Sequence, residues 1–148
     1  MKTAVVLLGE QAAALAPGLE EVGVATATAF DVAEAERVFV VGVGGDARDA
    51  LLHGTREGVA GVVGIDGTPP VAEARAGAFR APVLAVVAEA DEGDAYAFAK
   101  ALTNHGVLNE TVVYDDVDRG FLGTHERATD DVWRLLRRFI GVPRPVSA

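Results

Sequence analysis

The sequence predicts an α/β domain: a mostly parallel sheet of about six strands with flanking helices. Two observations lead there. Short apolar runs alternate with amphipathic stretches, the pattern left by parallel strands joined by helices. The apolar runs also stop at glycines or acids that begin loops, as at Gly9-Glu10, Gly42, Asp66-Gly67 and Glu89-Ala90-Asp91. A third observation bounds the size. A chain of 148 residues that is 50% hydrophobic and 24% charged can hide roughly two thirds of its unfolded surface in one core. One domain over 1–141 is expected, with 142–148 as a tail.

Residues 4–8 (AVVLL) read as a buried first strand, and 11–22 as a helix broken or started late by Pro17-Gly18. Residues 24–30 are β-like, with Thr26 and Thr28 alternating against alanines. Only seven residues separate Phe30 from Val38, whereas a parallel crossover usually needs about a dozen. That strand is therefore antiparallel, at an edge, or paired across a dimer. Residues 37–41 form the most strand-like run, ending at Gly42-Val43-Gly44-Gly45, and 46–57 a helix closed by Gly58. Strands follow at 59–65 and 82–88, with a loose segment from Asp66 to Arg80 between them. Asp94 can cap a helix presenting Ala95, Phe98, Ala99 and Leu102, stopped by Gly106. Residues 110–114 make the last strand. Thr124 opens a final helix with Ala128, Val132, Leu135, Leu136, Phe139 and Ile140 on one side and arginines near its negative end.

Composition removes several function classes. A net charge of −9 repels nucleic-acid backbones and anionic lipid alike, so neither is an expected partner. With no cysteine there is no disulfide or thiolate chemistry. Met1-Lys2-Thr3 runs straight into the first strand without a cleavage signal, and no apolar run approaches about 18 residues. A cytoplasmic location is the expectation.

Functional groups in an open parallel sheet gather beyond the carboxyl ends of the strands. Those ends carry Glu10, Asp31, Gly42, Asp66, Glu89, Asp91 and 115–119, an acidic rim with Arg119 at its last corner. Most such acids serve turns and helix caps. Of the histidines, His53 falls mid-helix and His105 at a helix end, both surface or packing positions. His125 begins the last helix, within reach of the rim near Arg119. Gly42-Val43-Gly44-Gly45-Asp46-Ala47 also fits GxGxx[GA], with Asp66 where a dinucleotide fold puts its ribose-binding acid. Against that reading, the unit lies mid-chain and Asp46 would face the pyrophosphate. No His or Cys cluster has metal-ligand spacing, so neither metal nor cofactor is expected.

Three segments carry a resemblance. Residues 37–45 (RVFVVGVGG) resemble the strand and nucleophile elbow of dienelactone hydrolases, with Gly42 in the nucleophile's place. Residues 82–91 (PVLAVVAEAD) are similar to that family's strand ending at the triad acid, which Asp91 matches. Residues 113–121 (VYDDVDRGF) resemble its segment ending His-Gly-Phe, with Arg119 standing for the histidine. Glu10 looks like the family's glutamate beside the nucleophile. The resemblance implies a truncated α/β-hydrolase-like fold with a degenerate triad, because glycine offers no attacking atom and arginine stays protonated at neutral pH. The elbow would survive as backbone N–H donors at a helix start, suited to a carboxylate or enolate oxygen. Glu10, Gly42, Val43, Asp91, Arg119 and Phe121 are then the candidate ligand-binding residues, and Phe79, Tyr96 and Phe121 the side chains able to fill the pocket. Arg119 either pairs with Asp91 or holds a ligand anion. The expected role is a non-hydrolytic pseudoenzyme that binds a small carboxylate or lactone or supports a partner, as a homodimer. The alternatives are a non-covalent acid/base enzyme (isomerase, cyclase or lyase) with Glu10 or Asp91 as base, a residual hydrolase, and a dinucleotide-binding protein.

Overall fold

A computed structural model describes residues 3–28 and 36–141. The six strands are β1 (Thr3–Leu8), β2 (Ala25–Ala27), β3 (Arg37–Val43), β4 (Gly61–Ile65), β5 (Val83–Ala88) and β6 (Asn109–Tyr114). They form one sheet in the order β2-β1-β3-β4-β5-β6. Every pairing is parallel, with Val6 opposite Val40, Gly42 opposite Gly64, Gly64 opposite Ala85, and Val86 opposite Val112.

Strand β2 resolves the awkward link. It lies at the sheet edge and pairs parallel with β1, Ala4 opposite Ala25, which removes the antiparallel alternative. Ending at Ala27 rather than Phe30, it leaves a longer return to β3 than the sequence suggested. Phe30 and Asp31, the end of the expected strand and its rim acid, lie outside the described residues.

Residues alternate between the two sheet faces, so each central strand feeds two cores. On one face Val5, Leu7, Val41, Ile65 and Val86 pack under α1 (Gly9–Ala13), α2 (Ala16–Glu21) and α6 (Glu126–Ile140). Pro17, tolerated only in a first turn, starts α2 and divides the expected 11–22 helix into two. Helix α6 contributes the buried Val132, Leu135, Leu136 and Ile140. Each such side chain stabilises the fold by roughly 1.5–3 kcal/mol when fully buried. The opposite face buries Val6, Val40, Val62 and Ala85 against α3 (Ala47–Leu52), α4 (Val71–Arg75) and α5 (Glu92–Asn104).

Four elements differ from expectation for local reasons. The 46–57 helix shrinks to α3, with 3-10 turns at Gly44–Asp46 and His53–Thr55. Helix α3 seats so close that a Cβ on Gly64 would meet Leu51 at 2.7 Å, and one on Gly42 would meet Ala50 at the same distance. These neighbouring strand glycines set the helix-to-sheet spacing. The segment read as loose contains α4. Helix α5 begins at Glu92, not Asp94, with Asp91 in the capping position but its carboxylate engaged elsewhere. His125, not Thr124, caps α6: its Nδ1 accepts from the Ala128 amide at 3.1 Å.

Candidate functional site

The carboxyl ends of β3 and β4, with the loop after β6, open onto a crevice of about 340 Å³ lined by Gln11, Gly44, Asp66, Thr68, Arg119 and Gly120. Larger clefts exist, one of about 930 Å³ beside Glu10 and one of about 750 Å³ beside Tyr114. The small crevice is the candidate because it joins a left-handed turn to the buried Asp66 and to Thr68 and Arg119, the partners of the buried Asp91.

The turn is at Gly44, and this corrects the reading of Gly42. Chain direction reverses sharply where β3 meets the 3-10 turn, and Gly44 takes φ +64° there. Such a strained strand-to-helix turn is the conformation a nucleophile elbow imposes on its tip. Gly42 sits two residues earlier, in β-strand conformation, where its added Cβ would fall on the Asp46 carbonyl. It is a packing glycine, with no room to present a side chain. Above Gly44 lies Gln11, whose Oε1 is 2.5 Å from where a Cβ would stand.

Asp91 ends the β5 segment and is 3% exposed. Its Oδ1 accepts from Arg119 Nη2 at 2.7 Å and from the Thr68 hydroxyl at 3.2 Å, and its Oδ2 accepts from Arg119 Nε at 3.1 Å. The two-pronged geometry is the strong form of an arginine–carboxylate pair. The hydrogen bond to Asp91, followed by its charge, holds the Arg119 guanidinium protonated even more firmly than usual. Its side chain remains 63% exposed, so the cation roofs the acid while facing solvent.

Asp66, at the end of β4, is the second carboxylate. It is 7% exposed and takes φ +61°, a left-handed conformation that favours glycine, Asn or Asp. One oxygen, Oδ2, accepts from the Gly120 amide at 2.5 Å, tying β4 to the loop that carries Arg119. Its Oδ1 is buried without a partner. Burial is the main cause raising its pKa, and the negative charge of Asp91 adds to it; the Gly120 amide, Arg119 and the Phe121 amide pull the other way.

Of the expected site residues, Asp91 and Arg119 meet as an ion pair. The others separate. Glu10 is exposed and lines the larger cleft with Asp46 and His53, because Gly9 (φ +84°) starts α1 so that Gln11, not Glu10, reaches the elbow. Val43 and Phe121 are core, each 2% exposed, Phe121 packing edge-on to Tyr114. None of the three side chains expected to fill a pocket does so here: Phe79 packs on Phe98 and Tyr96 is 58% exposed. His53 ends in a 3-10 turn rather than mid-helix, and His125 faces the cleft beside Tyr114 instead of the rim. Gln11, Gly44, Thr68 and the role of Asp66 were missed. Gly44 was findable, since an elbow's tip lies two residues beyond its first glycine. Among the described residues no His/Asp/Glu group is clustered to hold a metal.

No curated protein matches the chain in sequence. Solved structures do match it in fold. A dienelactone hydrolase from Anabaena variabilis superposes with a TM-score of 0.70 at 16% identity, over 94% of this chain and 85% of that one. Esterase PE8 gives 0.66 at 12%, over 93% and 92%. An acylaminoacyl peptidase gives 0.61 at 11%; 72% of this chain is covered, but only 24% of that much longer one. The Dienelactone hydrolase family model matches residues 7–141, nearly the whole described domain, and the chain belongs to that family.

Proposed function

We propose that this chain is a non-hydrolytic member of its family, a pseudoenzyme whose crevice binds a small neutral carbonyl compound such as a lactone. One observation carries the reading: the tip of the elbow is Gly44, and the group held by the buried acid is Arg119. Ester cleavage through an acyl intermediate needs an attacking heteroatom and a base that returns the proton. A hydrogen atom and a permanent cation occupy those two places. Charge selects the ligand. With Asp66 ionised, Asp66, Asp91 and Arg119 sum to one negative charge, and with Asp66 protonated to zero. A carboxylate is therefore disfavoured, and a neutral carbonyl accepting from the outward Arg119 N–H groups is favoured.

The test combines turnover and binding. Incubation with activated esters and γ- and δ-lactones should give no hydrolysis above a heat-inactivated control, while amide resonances of Gly44, Gly45 and Gly120 shift on adding lactone. Hydrolysis abolished by Asp91→Asn would defeat the proposal.

The proposal extends to a cytoplasmic homodimer. Supporting the dimer are the edge strands β2 and β6, beside which no further strand lies among the described residues, with Leu108 next to β6 77% exposed. Light scattering that finds only monomer at high concentration would remove the dimer. Among the described residues no helix is long and apolar enough to cross a membrane.

A further inference from the structure

The crevice contains one polar group that the fold leaves unfinished. Asp66 is more than nine-tenths buried, sits in a left-handed conformation at a strand end, and accepts on Oδ2 from the Gly120 amide, with the Phe121 amide also close to its carboxylate. Oδ1 has no partner. A buried acceptor without a donor is costly, more so for a charged group, so an arrangement of this kind marks either strain or a place for a ligand donor. Packing does not require it: Gly67 follows directly, and a glycine at position 66 would accept the same backbone without burying a carboxylate.

We propose that Asp66 is the specificity residue of this crevice, accepting a hydroxyl hydrogen of the bound molecule on Oδ1. The inference rests on the small-carbonyl reading above and sharpens it to a class: neutral compounds with a hydroxyl next to the carbonyl. The pairing of a donor and an acceptor in one crevice supports this class. Arg119, bound to Asp91 through Nε and Nη2, presents its remaining N–H groups as donors for a carbonyl oxygen. Asp66 is an acceptor from the neighbouring strand end in the same crevice, and both are joined through Gly120, which donates to Asp66 and follows Arg119 in sequence. The cover able to swing is Gln11 from α1, while Arg119 stays paired with Asp91. The raised pKa of Asp66 fits a group that exchanges a lone burial for a ligand contact.

The experiment compares α-hydroxy-γ-butyrolactone with γ-butyrolactone by NMR titration of the wild type and the Asp66→Asn variant. Asparagine tolerates the left-handed conformation and can still accept from Gly120, while placing an amide donor where Oδ1 was. The wild type should bind the hydroxylated lactone about tenfold more tightly, the difference a hydrogen bond to a charged group supplies. In Asp66→Asn the two affinities should converge to within about twofold, with backbone resonances confirming an intact fold. Equal affinities in the wild type, or a preference surviving in the variant, would overturn the role of Asp66 while leaving the binding reading standing. Binding of neither lactone at tens of millimolar would overturn the binding reading, and this inference with it.

Discussion

Placing a serine at each of two glycines separates the elbow's tip from its packing neighbour. At Gly44 the new side chain must adopt φ near +64°, which costs a non-glycine residue roughly 1–2 kcal/mol. It must also displace Gln11 Oε1, the far end of a flexible side chain, which is cheap. At Gly42 the new Cβ falls on the Asp46 carbonyl and within 2.7 Å of Ala50 Cβ. Neither can move unless α3 lifts from the sheet, exposing Ala47, Ala50 and Leu51. Overpacking alone costs about 1–3 kcal/mol, and the lifted helix adds to it. Gly44→Ser should therefore destabilise by about 1–2 kcal/mol, and Gly42→Ser by about 3 kcal/mol or more. Urea unfolding followed by circular dichroism resolves this, since slopes of about 1–3 kcal/mol per molar turn the gap into midpoints separated by roughly 1 M. Equal costs, or a larger one at Gly44, would refute the assignment of the tip.

Further outcomes follow from the same geometry. Gly44→Ser combined with Arg119→His should gain slow hydrolysis of p-nitrophenyl acetate that either single variant lacks; equal rates in all three would break the link between these positions. Asp66 has a folded-state pKa above its ordinary value near 3.8, so its contribution to stability is present below that value and is lost as pH rises through the folded pKa. The stability of wild type minus Asp66→Asn should thus decline from pH 4 towards 7, and a flat or rising difference would show that the carboxyl is not strained by burial. Asp131 runs the other way: the Tyr114 hydroxyl, then Arg134, lower its pKa, so its contribution is present above the ordinary value and fades as pH falls through the folded one. Tyr114→Phe, which removes the hydroxyl donor to Asp131, should cost about 1.5 kcal/mol at pH 7 by urea unfolding, and no measurable cost would mean the pair is only solvent-screened.

Strands and helices were legible where hydrophobic period and length agreed. Residues 82–88 read correctly because a parallel strand buried on both faces is a short unbroken apolar run, and 110–114 because Thr111, Val112, Val113 and Tyr114 are β-branched or aromatic, although this edge strand is only half-buried. Helix α6 was clear from its one-sided apolar stripe. The shortening of the helix after the elbow was not, because the 46–57 stretch has good helix formers, and only tertiary contact of Gly54 with Val62 and Phe79 shows the chain turning there. The site was half legible. Asp91 and Arg119 are far apart in sequence yet stand in the two segments that resemble the family, and they meet. Glu10 failed by one residue, since the left-handed Gly9 rotates the start of α1 and brings Gln11 over the elbow. Gly42 failed by two: elbow spacing puts the tip two residues beyond the first glycine, at Gly44, and the φ of +64° there agrees. Asp66 looked like one more strand-end acid; its unpaired oxygen is a property of packing alone.

The central claim is that no side chain in this crevice forms an acyl bond. Intact-protein mass spectrometry after exposure to a large excess of p-nitrophenyl acetate at pH 7, quenched in acid, tests it directly. The account predicts an unchanged mass apart from slow lysine and N-terminal acetylation that is identical in the Asp91→Asn variant. A stoichiometric 42 Da adduct, roughly one per chain, that peptide mapping places in the crevice and that Asp91→Asn abolishes, would contradict it.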